Sequence, residues 1–454
     1  MAEFASSGDT IKANSGAEFS TELLKIYYNR LFPYDQMFNW LAYGNDAAAE
    51  RDAPFASVMD KDFFQRREWS FTIEDDIYIR YQCFRDKEAM RAAIEKRQPH
   101  KIDIGAVFSA HPSEHTSLSS DKFKTVEREL VFDIDMTDYD VVRTCCTGAN
   151  ICHKCWPFMT MALKCVDVAL REDFAYKNIL WIYSGRRGVH CWVSDPEARA
   201  LSNEARSAVV EYLSLELDGK EDKFLRQVQA PVHPHLKRSY ALLEPYFAEH
   251  ICGDAGQALF THKNKNAYTK ILNSIPNEFE GLRTDVYQAW EDVTLTGQER
   301  WEILKDAISP SNNMNNVKKR KIDYWKMDAW RHKLVFTYTY PRLDAAVSKS
   351  QNHLLKSPFC VHPKTGRVCV PIDPGAADEF DPFRAPTVRS LCAEIDEFDR
   401  MYPNKSSLTS DIDKTAMKAA IQVFDRTFMN GLWSEIKRGF RNLAEEKSAM
   451  QVDF

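Results

Sequence analysis

The chain lacks any uninterrupted apolar run of the length needed to cross a bilayer, so no membrane-spanning helix is expected. It also lacks the opening of a secreted protein. Met1 to Gly16 is small and polar, with neither a basic start nor an apolar segment, and is expected to be a loose tail. An excess of positive charge is missing too. Lys and Arg number 60 against 66 Asp and Glu, giving a formal net charge of −6. That balance excludes a surface that grips nucleic acid everywhere through phosphate neutralisation, so any such grip must be local. What is present is a folded composition, 44% hydrophobic and 12% aromatic over 454 residues, enough for two or three domains with cores of their own. With 11 cysteines and no export signal, the thiols are expected to stay reduced or to hold metal.

The stretch Glu129-Leu130-Val131-Phe132-Asp133-Ile134-Asp135-Met136 organises the rest. Its β-branched and aromatic residues read as a strand, in which Asp133 and Asp135 share one face and Phe132, Ile134 and Met136 the other. Side by side, two carboxylates repel unless a divalent cation lies between them, and oxygen-only ligands favour Mg²⁺ or Mn²⁺ over zinc. A solvated edge face is the plain alternative for an isolated Asp-x-Asp.

Upstream, Ser20 to Gly44 shows helical spacing broken at Pro33, and Arg66–Thr72, Asp76–Tyr81 and Lys101–Val107 read as strands. Within them Tyr78 and Arg80 point to one face, and Asp103 lies among apolar neighbours. Downstream come Cys145, Cys146, Cys152 and Cys155, in the pattern Cys-Cys-x5-Cys-x2-Cys with Gly148 permitting a turn. Four thiolates so close suit a structural tetrahedral zinc, with His153 as a spare ligand. Met159 to Leu170 reads as a helix and Ile179 to Tyr183 as a strand. Between that strand and Cys191-Trp192-Val193 lies Ser184-Gly185-Arg186-Arg187-Gly188-Val189-His190. A turn whose amides and guanidinium groups converge in this way suits a polyphosphate, while a solvent-exposed basic hairpin is the alternative.

Asn203 to Met327 is charged and helical in pattern, with a loop at Asn312 to Asn316 and a basic cluster Val317 to Lys321 that could serve nuclear import or a phosphate. The chain then returns to β character at Lys333 to Tyr340, passes Asp344, and enters Ser348 to Gly366. That last stretch is dense in anion donors and reads as a binding loop. Asp373 to Ser407 reads as an extended linker, and Met417, Ile421, Phe424, Phe428 and Leu432 trace an amphipathic helix.

Three segments in this order resemble the signatures of the small catalytic subunit of eukaryotic DNA primase, in the archaeo-eukaryotic primase superfamily. They are Val131 to Asp140, Tyr183 to Val193, and Asn352 to Phe359. The likeness covers about residues 20 to 385, and an Ala-rich insert near Asp46 to Val58 departs from it. It implies an α/β class, a mixed α+β primase fold with an inserted helical subdomain and a small zinc module. The expected parts are a tail over 1–18, a catalytic domain over 19–202 and 328–385 with the zinc module near 143–158, a helical subdomain over 203–327, and a linker with a C-terminal helix over 386–454.

The resemblance also implies synthesis of short RNA primers on single-stranded DNA from NTPs, with two catalytic Mg²⁺ or Mn²⁺ ions and one structural Zn²⁺. Asp133, Asp135 and Asp344 would bind the catalytic metals, and Cys145, Cys146, Cys152 and Cys155 the zinc. Ser184, Arg186, Arg187, His190, Lys356 and His362 would hold the incoming triphosphate. Glu68, Tyr78, Arg80 and Asp103 would lie around the nucleotide sugar or the initiating site. Implied partners are a large primase subunit with an iron–sulfur cluster and, through it, the DNA polymerase alpha complex, in the nucleus.

Overall fold

The computed structural model describes residues 18–45, 59–215, 227–228, 231–309 and 324–452. The expected tail, the Ala-rich insert, and the loop with its basic cluster lie outside the described residues. No described helix is long and apolar enough to cross a membrane. The chain divides into two compact units. One holds Ile134–Phe174 and the described part of Glu211–Arg342; the other holds the described parts of Lys12–Asp133, Ala175–Val210 and Leu343–Phe454.

The architecture is mixed α/β. Among the described residues the strands are β1 Arg67–Thr72, β2 Tyr78–Gln82, β3 Lys101–Phe108, β4 Thr125–Glu127, β5 Leu130–Asp135, β6 Ile179–Tyr183, β7 Gly188–Val193, β8 Leu355–Lys356 and β9 Pro371–Ile372. They form a sheet in the order β2-β1-β3-β4, with β8 also paired to β3, and a second sheet in the order β5-β7-β6-β9. Strands β6 and β7 are buried throughout, as their nearly unbroken apolar runs require. In β5 the core residues Phe132 and Ile134 are fully buried while Asp133 and Asp135 stay partly exposed, which is the two-residue alternation of a strand with one wet face.

Helix Thr21–Arg30 starts where the Ser20 hydroxyl accepts the Leu23 N–H, and helix Tyr34–Ala42 follows directly after Pro33. The apolar stripe Met417, Ile421, Phe424, Phe428 and Leu432 is buried along helix Met417–Phe424, a π-turn at Asp425–Met429 and helix Asn430–Val452. It packs within its own unit, with Phe424 against Phe359 and Phe428 against Trp40.

Two expectations are corrected. Lys333 to Tyr340 is not a strand: it forms the C-terminal half of helix Tyr324–Thr339 and the residue after it. Its β-branched and aromatic residues are drawn into a helix because Leu334, Val335, Phe336 and Tyr340 all bury there, while the Thr337 and Thr339 hydroxyls donate back to the Lys333 and Val335 carbonyls. Asp373 to Ser407 is not an extended linker, since it contains helix Val388–Met401. Thr387 and Ser390 close a reciprocal cap at its start, and Val388, Leu391 and Ile395 bury one face, leaving the acids on the other.

Candidate active site

Strand β5 presents Asp133 and Asp135 on its wetter face. The backbone N–H of Asp344 donates to the Asp133 carbonyl at 3.0 Å, so a segment far along the chain is fixed beside the strand by its backbone. The Asp344 side chain accepts the Ala346 N–H and caps the short helix Ala345–Lys349. Asp135 does the same for the turn after β5, with Oδ1 accepting both the N–H and the hydroxyl of Thr137. In both residues one carboxylate oxygen sets the orientation of the group. On the neighbouring strand β7, the buried His190 places Nε2 3.6 Å from Asp133 Oδ1. A donor set of carboxylate oxygens fits Mg²⁺ or Mn²⁺ better than zinc.

The Ser184–Arg187 turn joins β6 to β7. Its backbone closes through Ser184 N–H to the Gly188 carbonyl, and the Ser184 hydroxyl oxygen accepts the Gly188 N–H, each at 3.0 Å. Gly185 has φ +84°, and a Cβ there would lie 2.8 Å from the Cβ of His362, so both its conformation and its neighbour demand glycine. The loop that follows β8 is tied to this turn: Lys356 Nζ donates to the Ser184 carbonyl at 3.2 Å and the Thr365 hydroxyl to the Gly185 carbonyl at 2.6 Å. His362 therefore sits over the arginine turn. Burial, then Lys356, Arg186 and Lys364, push its pKa down to about 2. Because Nδ1 accepts the Lys364 N–H, the neutral ring carries its proton on Nε2, as a donor. Lys356, Arg186 and Lys364 all bear on a neutral histidine donor here, a cationic arrangement that suits a polyphosphate.

The first sheet supplies a third group. Ser70, Asp103 and Lys356 are register neighbours across β1, β3 and β8. Asp103 is buried, accepts the Ser70 hydroxyl at 3.2 Å, and lies 3.0 Å from Lys101 Nζ; burial works against the Lys101 charge, but Asp103 raises its pKa overall. Ser70 in turn reaches the exposed Tyr78 hydroxyl at 3.1 Å. Glu68 is fully buried and grips Arg80 through two bonds, Nε at 3.0 Å and Nη2 at 3.2 Å. Its carboxylate thus acts on the guanidinium of Arg80, holding it in place.

The four cysteines meet in the other unit. Their sulfurs all lie within 4.8 Å of one another, and Cys152 and Cys155 are 3.9 Å apart, close to the ~3.8 Å edge expected for zinc–sulfur bonds of ~2.3 Å. His153 is exposed and outside the group, so the spare ligand is not needed. Hydrogen bonds from Cys155 and then Gln257 bring Cys145 down to about 5, whereas burial pushes Cys146 up to about 12. One thiolate forms readily and the next resists, a conflict that a dication removes.

Sequence reasoning missed the groups that hold this cluster. Gln257 Nε2 points at Cys145 Sγ (3.5 Å) while its carbonyl oxygen accepts the Thr144 N–H, and Arg143 ties Asp140, Gly148, Asn150 and Cys155 together. Arg143, just before the cysteine pair, could have been suspected; nothing in the sequence marks Gln257. Gln257→Ala is expected to weaken retention of a metal ion by the four cysteines about 10- to 100-fold, read as faster release to a chromophoric chelator. Release at the wild-type rate would remove Gln257 from the metal's support.

A profile described as DNA primase small subunit matches residues 132–374. The chain is similar to the DNA primase small subunit of Drosophila melanogaster, with 39% identity over 90% of this chain and 90% of the relative. The Schizosaccharomyces pombe protein of the same description is 37% identical over 87% and 82%, and that of Saccharomyces cerevisiae 34% over 96% and 98%.

Proposed function

Because the chain belongs to the DNA primase small subunit family, a family of template-directed nucleotidyltransferases, we propose that it synthesises short RNA primers de novo on single-stranded DNA from NTPs. The observation that carries this reading is the meeting of Asp344 and His190 at Asp133, on a strand whose neighbour opens from the Ser184–Arg187 turn. Asp133, Asp135 and Asp344 would hold the catalytic cations. When bound, a pair of divalent ions supplies activation of the attacking 3′ hydroxyl and neutralisation of charge at the leaving pyrophosphate.

The rest is the work of this chain's own side chains. Arg186, Arg187 and Lys356 neutralise the triphosphate, and the neutral His362 and the Ser184 hydroxyl donate to its oxygens as negative charge moves onto the leaving group. His190 bridges Asp133 and the nucleotide. Asp103, with Tyr78 reached through Ser70, offers a carboxyl acceptor to the ribose hydroxyls, and Glu68 orients Arg80 at the initiating site. The cysteine cluster would hold its zinc as a purely structural ion, since four protein ligands leave no open position.

The deciding experiment incubates the full chain with single-stranded template and radiolabelled ribonucleotides, with and without Mg²⁺ or Mn²⁺, against a panel of sugar nucleotides. Labelled oligoribonucleotides that need both template and metal are expected; transfer from sugar nucleotides instead would overturn the reading. Arg187→Ala is expected to raise the nucleotide KM and slow the chemistry together, and an unchanged KM would count against its place on the triphosphate. The chain is further proposed to act with an iron–sulfur large subunit and the DNA polymerase alpha complex in the nucleus. Its net charge of −6 implies that the partner supplies much of the template grip, so nanomolar affinity of the isolated chain for single-stranded DNA at physiological salt would contradict this division of labour.

A further inference from the structure

The larger unit carries a cavity of about 490 Å³ in whose lining only Arg80, held by Glu68, has a proposed role at the initiating site. Arg80 and Tyr81 both line it, although adjacent residues of a regular strand point to opposite faces. They can do so because β2 is bulged here. Ile79 pairs with Phe71 and Gln82 with Trp69, so the β2 side has one residue too many, and Tyr81 takes φ +57°. The bulge re-aims two side chains toward one space.

That space is walled by stacked rings. Phe108 and Phe123 are parallel within 5°, with centroids 4.3 Å apart, and Tyr81 lies on His115 at 3.7 Å and meets Phe123 edge-on at 6.3 Å. Phe108 is buried and fixed in β3, whereas Phe123 is half-buried. Cationic and amide groups border the rings: Arg80 lies 4.9 Å over Tyr81 while anchored on Glu68, Lys124 is exposed, and Asn352 completes the lining. A flat aromatic platform with a cation at its edge is how proteins hold single-stranded nucleic acid without reading its sequence. The cavity also sits apart from Asp103 and its register neighbour Lys356. Along β3, Asp103 and Phe108 are separated by about 17 Å at ~3.3 Å per residue, further than one nucleotide step of ~3.4 Å.

We propose that this cavity takes an unpaired base of the single-stranded DNA template, stacked on Phe123, with a neighbouring phosphate on Lys124. The proposal rests on the template-directed reading and adds a local grip to a chain whose overall charge provides none. The test uses the full chain as wild type, Phe123→Leu and Lys124→Ala, with oligodeoxythymidylate as template and ATP as substrate. Phe123→Leu should raise the template KM by about tenfold, within the 1–3 kcal/mol that stacking contributes per base, Lys124→Ala should raise it more than twofold through the lost phosphate contact, and both should leave the ATP KM within twofold. An oligonucleotide carrying 5-iodouracil should photocrosslink to Phe123 or Tyr81. A template KM within twofold of wild type in both variants, with unchanged thermal melting, would overturn the proposal. So would a raised ATP KM, which would assign the cavity to the nucleotide. Should the wild type make no primers, the polymerase reading fails by itself, while crosslinking at the cavity, or its absence, still decides the base-binding inference.

Discussion

Asp133→Ala is expected to lower primer synthesis by at least about a hundredfold, the scale seen when one transition-state stabiliser is removed. The substitution is clean for structural reasons. Asp133 lies on the partly exposed face of β5, so its side chain fills no core, and the bond that holds Asp344 beside it uses the Asp133 backbone carbonyl, which alanine retains. What disappears is the carboxylate, with its proximity to His190 and its share of the oxygens proposed to bind cations. The loss should therefore fall on kcat, with ATP KM changed much less because Arg186, Arg187, Lys356 and His362 remain. Single-turnover primer synthesis with a melting curve beside it reads this out. Near-normal synthesis by a folded Asp133→Ala chain would defeat the metal-site role of the strand.

The carboxylates were legible because a strand's two-residue period is itself a geometric statement: once β5 is read as a strand, Asp133 and Asp135 must share a face. The Ser184 to His190 turn was legible through its glycines, since the left-handed conformation of Gly185 leaves few other residues able to stand there. The limits are physical as well. Leu334, Val335 and Phe336 have strand propensity, yet tertiary burial within helix Tyr324–Thr339 outweighs it, and no local pattern reports that neighbour. Prolines and acids around Val388–Met401 masked an amphipathic helix whose apolar residues had the right spacing. Contacts between distant segments were out of reach altogether. Gln257 at the cysteine cluster, the Glu68 grip on Arg80 and the bulge at Tyr81 each depend on which backbone folds back on which, and single-residue types carry no trace of it.

Glu129 belongs to that last group, and replacing it should cause the largest loss of stability. It reads as a polar residue opening a strand, but in the fold it is fully buried, as are Arg67 and Arg128. Arg67 donates to both of its oxygens at 2.9 Å, Arg128 to one at 3.1 Å and the Tyr43 hydroxyl to the other at 2.7 Å. Burial disfavours the carboxylate, yet the two guanidinium groups more than offset it and hold its pKa at about 2, against an ordinary 4.5. Glu129→Gln would leave both arginines in the interior without a counter-charge, at an expected cost of about 3–5 kcal/mol, a large part of a domain's usual margin. The pH dependence follows from the same pair of values. With the folded pKa below the unfolded one, Glu129's contribution is fully present above about pH 4.5 and is lost as pH falls toward 2, amounting to about 3 kcal/mol in all. Urea unfolding should accordingly show a lower midpoint for Glu129→Gln at neutral pH and a gap that narrows below pH 4.5. Equal midpoints at neutral pH, or a gap that widens on acidification, would mean that this buried cluster does not hold the start of β5, and with it the approach to Asp133, in place.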